Sequence, residues 1–250
     1  MKVVVIIPAA GLGTRMTTPA EGRAPRKTPA AKQFTELNGT PILIHTLRRF
    51  AAAAQVNEIV IAMRKSDADL FRPRLEAERL RKPVRMVEGG EHRQQSVANA
   101  LKQVEAADDD LVLVHDAVRP FVDSEIIGNV IAGAQRYGAA VAGVPAVDTV
   151  KQVERMAEGA IIVTTIPRER VVLAQTPQGF RFGLLRRAFA EAEADGFVGT
   201  DEASLVERAG AEVAVVMGSP RNIKITTPAD LELAEFFIAQ EDRRRASLTG

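Results

Sequence analysis

Short apolar runs alternate along this chain with longer stretches in which apolar positions return every three or four residues. The runs Val3–Ile7, Ile59–Met63, Val84–Val87, Leu111–Val114, Ala139–Val144 and Val213–Val216 predict strands. Several are continuously apolar rather than alternating, the pattern of strands covered on both faces. Helical spacing over Ile42–Ala54, Asp67–Leu80, Ser96–Gln103, Glu125–Tyr137 and Leu184–Asp195 predicts helices between them. This order of elements predicts an α/β fold: a mainly parallel sheet with helices on both faces. A last helix is expected from about Pro228 to Ala239, with Thr227 as cap, Pro228 at its first position and Asp230 near its positive end. The charged run Glu241–Arg245 and its small polar continuation predict a frayed, disordered tail over 241–250, leaving one domain over 1–240.

Two stretches break this rhythm. Thr17–Ala31, rich in Pro and Ala and carrying Arg23, Arg26 and Lys27, has no period and predicts a mobile loop. Residues 147–174 form an excursion in which Val150–Val153 and Ile161–Ile166 flank Gly159 and predict a hairpin arm projecting from the sheet. A projecting arm buries little of itself, so it implies a partner surface.

Composition narrows the function. The 250 residues include 33 Lys and Arg against 32 Asp and Glu, a net charge of +1, which lacks the basic excess of a general nucleic-acid binder. The absence of cysteine removes disulfides, thiolate metal sites and a thiol nucleophile. No apolar run approaches the ~20 residues of a membrane span. The apolar start has only Lys2 before it and leads straight into a glycine loop, so it predicts a core strand rather than a signal peptide, and a cytoplasmic location is expected.

The candidate chemistry gathers where strands end. Val3–Ile7 feeds Pro8-Ala9-Ala10-Gly11-Leu12-Gly13-Thr14-Arg15, a small-residue loop whose backbone N–H groups can approach a phosphate, with a fixed cation beyond it. Met16 stands where the dinucleotide fingerprint has its third glycine, and no Gly-Lys-Ser/Thr follows as in a P-loop. A tight turn needing glycine is the structural alternative. Lys32, with Gln33 and Phe34 behind it, can join Arg15 in stabilising charge on a phosphorus centre. Gly89-Gly90-Glu91-His92-Arg93 follows a strand and opens a helix. There Ser96 is either a cap or a ligand group, and Arg93 either meets a phosphate or holds the loop. Leu111–Val114 ends in His115-Asp116, with Arg119 beyond. Ligands of open α/β sheets bind at this carboxyl edge. Asp116 suits Mg²⁺ or a hydroxyl, Arg119 an anion, and the alternative is an Asp116–Arg119 ion pair ordering the turn. His115 reads as a structural hydrogen-bonding residue. Thr149 at the start of the arm, Arg168 near its end, Thr176 in Thr176-Pro177-Gln178, Thr200 in Thr200–Ala203 and Lys224 complete the polar set, and singly each of these segments also reads as turn chemistry.

Taken in order, these segments resemble the 2-C-methyl-D-erythritol 4-phosphate cytidylyltransferase family. The resemblance rests on Pro8–Met16, Lys32-Gln33, Gly89-Gly90 with Arg93 and Ser96, Val114–Pro120, Asp148–Lys151, Thr176-Pro177-Gln178, Thr200–Ala203 and Asn222-Ile223-Lys224, and it spans roughly Val3 to Ala239. It implies a Rossmann-like nucleotidyltransferase fold. The activity it implies is transfer of CMP from CTP to 2-C-methyl-D-erythritol 4-phosphate, with release of pyrophosphate, in non-mevalonate isoprenoid synthesis. It also implies Mg²⁺ on the triphosphate and a homodimer joined by interlocking arms.

The same resemblance assigns roles. Ala9, Ala10, Gly11, Gly13, Gly90, Arg93 and Ser96 would hold the nucleotide. Arg15 and Lys32 would neutralise the pentacoordinate α-phosphate, with Lys27 as competitor because the segment after Arg15 is longer than in similar members. Asp116, Arg119, Thr176, Thr200 and Lys224 would hold the acceptor, and Thr149 and Arg168 would come from the partner's arm. Glu91 stands where aspartate is common. Three other readings stay open on the residues alone: a cytidylyltransferase for another polyol phosphate such as ribitol 5-phosphate, a nicotinamide-dependent oxidoreductase, and a non-catalytic nucleotide sensor.

Overall fold

The computed structural model describes residues 1–11 and 32–249. Eleven strands and seven α-helices lie among them. The strands are β1 (Val3–Pro8), β2 (Glu36–Leu37), β3 (Thr40–Pro41), β4 (Glu58–Met63), β5 (Val84–Glu88), β6 (Leu111–Val114), β7 (Ala139–Pro145), β8 (Val150–Arg155), β9 (Ala160–Ile166), β10 (Val172–Arg181) and β11 (Ala214–Met217). The helices are α1 (Ile42–Ala52), α2 (Lys65–Ala77), α3 (Arg93–Leu101), α4 (Ser124–Tyr137), α5 (Phe182–Ala194), α6 (Glu202–Arg208) and α7 (Pro228–Thr249).

Seven strands form one sheet in the order β11-β7-β10-β6-β1-β4-β5. β1 pairs in parallel with β4 and β6, β4 with β5, and β7 with β11, while β10 runs antiparallel to both β6 and β7. The expected α/β architecture is therefore present. Strand β1 shows why its residues are continuously apolar. Val3, Val5 and Ile7 enter one core with α1 and α4, and Val4 and Ile6 enter the other with α3, α5 and α6. Each fully buried Ile or Leu side chain contributes roughly 1.5–3 kcal/mol relative to exposure, so both helical layers are driven onto the sheet by the same strands.

Two elements differ from expectation inside the sheet region. The stretch around Thr176-Pro177-Gln178 was expected as turn chemistry, and residues up to 174 as part of the arm, yet Val172–Arg181 is an interior strand. Pro and Gly within a run argue against a central strand. Here the ladder to β7 is interrupted between Ala174 and Gln178, where the Thr176–Pro177 bond is cis. Gly179 is required by close packing, because a Cβ there would lie 2.7 Å from Val130 on α4 and 2.8 Å from Leu113 on β6. The seven-residue helix α6 was likewise read only as turn chemistry at its Thr200–Ala203 start.

The last helix also runs further than expected, through Thr249 rather than to Ala239, so the segment expected as a frayed tail is helical up to that residue. No glycine or proline interrupts the sequence between Pro228 and Gly250. The extension is tied down by Glu241, whose two carboxylate oxygens accept from Arg49 Nη2 at 2.8 and 2.6 Å, while Arg49 Nε donates to the Pro120 carbonyl at 3.0 Å.

The arm is a separate two-stranded sheet, β8 against β9. Its tip turns at Gly159, whose φ of +95° suits glycine. Nearly every residue of both strands is exposed.

Candidate active site

The carboxyl ends of the parallel strands β1, β4, β5 and β6 share one edge of the sheet, and most of the expected residues that the structure describes, those of the arm excepted, collect there. β1 delivers Ala9 and Ala10, both buried, and the exposed Gly11. Ala9 N–H donates to Ala62 O at 2.7 Å, which extends the ladder past the strand. Gln33, 4% exposed in the 3₁₀ turn Lys32–Phe34, donates its side-chain amide to the carbonyl of Ala9. That contact fixes the turn against the end of β1 and so places Lys32, which is buried and donates from Nζ to Thr226 O at 3.2 Å. Gly13, Arg15, the Thr17–Ala31 loop and the competing Lys27 lie outside the described residues.

β5 runs into Gly89 and Gly90. A Cβ on Gly89 would sit 2.6 Å from the Ala10 Cβ, so the two loops abut only because that side chain is missing. Ser96 lies within the first turn of α3 instead of capping it, since α3 begins at Arg93. Its buried hydroxyl accepts from Gly90 N–H at 3.0 Å and has the carbonyls of His92, at 3.0 Å, and Gly90, at 3.3 Å, to donate to. The glycine loop is thus stapled to the helix start. A cleft of about 420 Å³ opens beside it, with Arg64, Lys65, Glu91, Gln95 and Asn99 around Gly90. A larger cavity of about 550 Å³, around His45 and Arg49, touches none of the expected site residues.

β6 delivers His115 and Asp116, and the charge concentrates here. Asp116, 6% exposed, meets three cations: Arg93 Nε lies 3.3 Å from Oδ1, and Arg119 Nε at 3.2 Å and Lys224 Nζ at 3.0 Å share Oδ2. Arg93, expected among the nucleotide contacts, also holds Glu202, its Nη1 lying 2.6 and 2.8 Å from the two carboxylate oxygens. Burial would raise the Asp116 pKa, but the charges of Arg93, Lys224 and Arg119 outweigh it and hold the carboxyl well below the usual range. Glu202, fully buried, is raised by burial, with Arg93 opposing. Three cations thus face two carboxylates, and the cluster keeps one positive charge in excess.

Asp116 does not fit a metal ligand. Both of its oxygens already face cations, and among the described residues no group of three His, Asp or Glu side chains is arranged to hold an ion.

His115 has the structural role expected of it. It is fully buried, its Nε2 faces Arg119 O at 3.1 Å, and its Nδ1 faces Thr176 Oγ1 at 3.1 Å. A carbonyl can only accept, so Nε2 carries the proton and the Thr176 hydroxyl donates to Nδ1. The same hydroxyl oxygen accepts from Asp116 N–H at 3.0 Å. Burial lowers the His115 pKa to about 4. As pH falls from about 6.5 the unfolded chain takes up this proton and the native one does not, so stability declines by about 3 kcal/mol by pH 4. His45, also lowered by burial, adds to the decline. The stabilising contribution of Asp116 is lost in a lower window, as pH falls below about 4. Chemical denaturation across pH 4–7 should show this slope, and His115→Gln should flatten most of it. An equal slope in the variant would contradict the assignment.

Asn222 was quoted only as part of a motif, yet it joins the two acceptor loops. It is fully buried, its side-chain amide donates to Thr176 O at 2.8 Å and Gln175 Oε1 at 3.2 Å, and its backbone carbonyl accepts from Arg119 Nη1 at 2.7 Å. Thr200 is exposed just before α6. Thr149 and Arg168 sit on the exposed arm, where Arg168 Nη1 donates to Val147 O at 2.9 Å. Among the described residues, no hydrogen bond within one chain ties either to the Asp116 cluster.

Known proteins match this chain along nearly its whole length. The family model described as 2-C-methyl-D-erythritol 4-phosphate cytidylyltransferase matches residues 3–240. A protein of that name from Acidobacterium capsulatum is 57% identical over 244 residues, covering 98% of this chain and 100% of its own. Another from Solibacter usitatus is 54% identical, covering 98% of each. Among solved structures, the enzyme of that name from Francisella tularensis aligns with a TM-score of 0.77 at 36% identity, covering 94% of this chain and 99% of its own. The one from Thermus thermophilus aligns at 0.72 and 37%, covering 95% and 98%.

Proposed function

The chain belongs to the 2-C-methyl-D-erythritol 4-phosphate cytidylyltransferase family, and on that premise we propose how its residues divide the reaction. It transfers CMP from CTP to 2-C-methyl-D-erythritol 4-phosphate. An acceptor phosphate oxygen bonds to the α-phosphorus, the bond from that phosphorus to the β-phosphate bridging oxygen breaks, and pyrophosphate leaves. The nucleophile is already ionised near neutral pH, so no strong base is needed. The barrier lies in bringing two anions together and in the charge that builds on the α-phosphate, which positioning and electrostatics can supply.

The observation that carries this division is the cation excess around Asp116, with the buried Lys32 held to Thr226 O two residues beyond Lys224. Lys32 acts with Arg15 on the α-phosphate. Ala9, Ala10, Gly11, Gly13, Gly90 and Ser96 hold the nucleotide. Arg119, Lys224, Thr176 and Thr200 hold the acceptor, and Asp116 keeps its cations in array. Mg²⁺ belongs to the proposal as a companion of the phosphate oxygens of CTP, not as an ion held by Asp116. Pyrophosphate release measured with CTP, ATP, GTP and UTP against methylerythritol phosphate and ribitol 5-phosphate tests the reading. Release with CTP and methylerythritol phosphate is expected, and release with ribitol phosphate alone would overturn the acceptor.

A homodimer through the arm completes the proposal. Ile161, Ile162 and Val163 are each more than half exposed, and Val153 nearly half, on a two-stranded hairpin, a structure marginal alone in water. In this arrangement Thr149 and Arg168 reach the acceptor of the other subunit. Arg168→Ala and Arg119→Ala should each impair acceptor use, and a mixture of the two should regain part of the activity in heterodimers, where one site keeps both arginines. No rescue in confirmed heterodimers would count against the crossed site. A cytoplasmic location is proposed with the function; among the described residues no helix is long and apolar enough to cross a membrane.

A further inference from the structure

Arg93 divides its guanidinium unequally between two carboxylates. Both oxygens of Glu202 lie within 2.8 Å of Nη1, whereas Asp116 Oδ1 is 3.3 Å from Nε. A guanidinium binds a carboxylate most strongly through two parallel N–H groups. Arg93 makes no such fork on Asp116, which only Nε reaches, while Glu202 fixes the direction of the guanidinium through Nη1.

Glu202 itself is held rigidly. It is the first residue of α6 and 1% exposed. The preceding Asp201 caps the helix by accepting from Ser204 N–H at 3.0 Å. Gln178 of β10 spans this start with both ends of its amide, donating to Asp201 Oδ2 at 2.7 Å and accepting from Ala203 N–H at 3.1 Å. The strand that carries Thr176 therefore also fixes where Glu202 stands.

We propose that Glu202 is a positioning residue for the acceptor: by holding Arg93 off Asp116, it leaves Oδ2 of Asp116 to Arg119 and Lys224 and so keeps those two cations in place. The inference rests on the proposed function and adds to it a residue that touches neither substrate. Without the Glu202 charge, the partly exposed Arg93 side chain turns its fork onto Asp116 and draws that carboxylate from its neighbours. Lys224, 41% exposed at its side chain, then loses the contact that orders it. The acceptor phosphate must order Lys224 and Arg119 on arrival, at a cost in affinity. Arg93 thus belongs to the acceptor side of the cleft.

Steady-state kinetics on the full chain test this. Glu202→Gln, which removes the charge and keeps the length, should raise KM for methylerythritol phosphate about tenfold while KM for CTP stays within about twofold. Glu202→Asp should recover most of the acceptor affinity. A purely structural role would lower the active fraction and the melting temperature with both KM values unchanged, and that result would overturn the proposal. Should Glu202→Gln fail to fold, Gln178→Met decides: it keeps every charge but releases the α6 start that fixes Glu202, so a rise confined to the acceptor KM is expected, and an unchanged acceptor KM overturns the inference. A wild-type chain inert toward methylerythritol phosphate would instead overturn the functional reading beneath it.

Discussion

Lys32→Ala is expected to lower kcat by about 10²–10³-fold, the loss of roughly 2.7–4 kcal/mol that follows removal of one preorganised group facing transition-state charge. The argument runs from position. Gln33 locks the Lys32–Phe34 turn to the carbonyl at the end of β1, and Thr226 O receives the Lys32 ammonium from the opposite side. A buried ammonium held between two loops needs little reorganisation when charge develops beside it, and the poorly solvated surroundings strengthen its effect. The groups proposed to hold the nucleotide, from Ala9 to Ser96, are untouched by this change, so CTP affinity should change by only a few-fold. Single-turnover pyrophosphate release gives the chemical step, and calorimetric titration of CTP gives the binding. Lys27→Ala should leave the chemical step within about threefold. A larger effect from Lys27 than from Lys32 would move the catalytic role to the other lysine.

Asp116→Asn should be the most damaging change on the acceptor side. It keeps the shape of the side chain and removes the anion that faces Arg93, Arg119 and Lys224. Loss of one partner from a buried ionic cluster destabilises by on the order of 3 kcal/mol, because the remaining charges stay desolvated and uncompensated. The net charge of the cluster rises by one, which taken alone favours the acceptor phosphate. Order decides against that: Arg119 and Lys224 are held by the carboxylate now missing, and KM for the acceptor should rise by more than tenfold. Urea denaturation and steady-state kinetics measure the two effects. A variant as stable as the parent, with unchanged acceptor KM, would mean that the cations are ordered by something else.

The sequence carried some of this plainly and hid the rest for physical reasons. β1 was legible because a strand covered on both faces must be continuously apolar, and the small residues Ala10 and Gly89 stood out because they must be small to abut. The arm was legible as a hairpin from two β-branched runs around Gly159. β10 was not. Its Gln175-Thr176-Pro177-Gln178 core has the composition of a turn, and its place between β6 and β7 comes from long-range pairing. The tail past Ala239 read as solvated charge, because its contact with Arg49 joins residues 192 positions apart. In the site, Asp116 stood out by its position after an apolar strand. Glu202 did not: an acidic residue at a helix start is ordinary, and only the approach of α3 makes it a buried partner of Arg93.

The central claim is that this cleft joins an acceptor phosphate oxygen to the α-phosphorus of CTP by holding two anions together. The most direct test uses acceptor whose phosphate is labelled with ¹⁸O, with the products resolved by ³¹P NMR and mass spectrometry. The account predicts that all the label stays in the diphosphate product, one labelled oxygen forming its P–O–P bridge, and that pyrophosphate carries none. Label in pyrophosphate, or CMP and pyrophosphate formed without a labelled product, would contradict it.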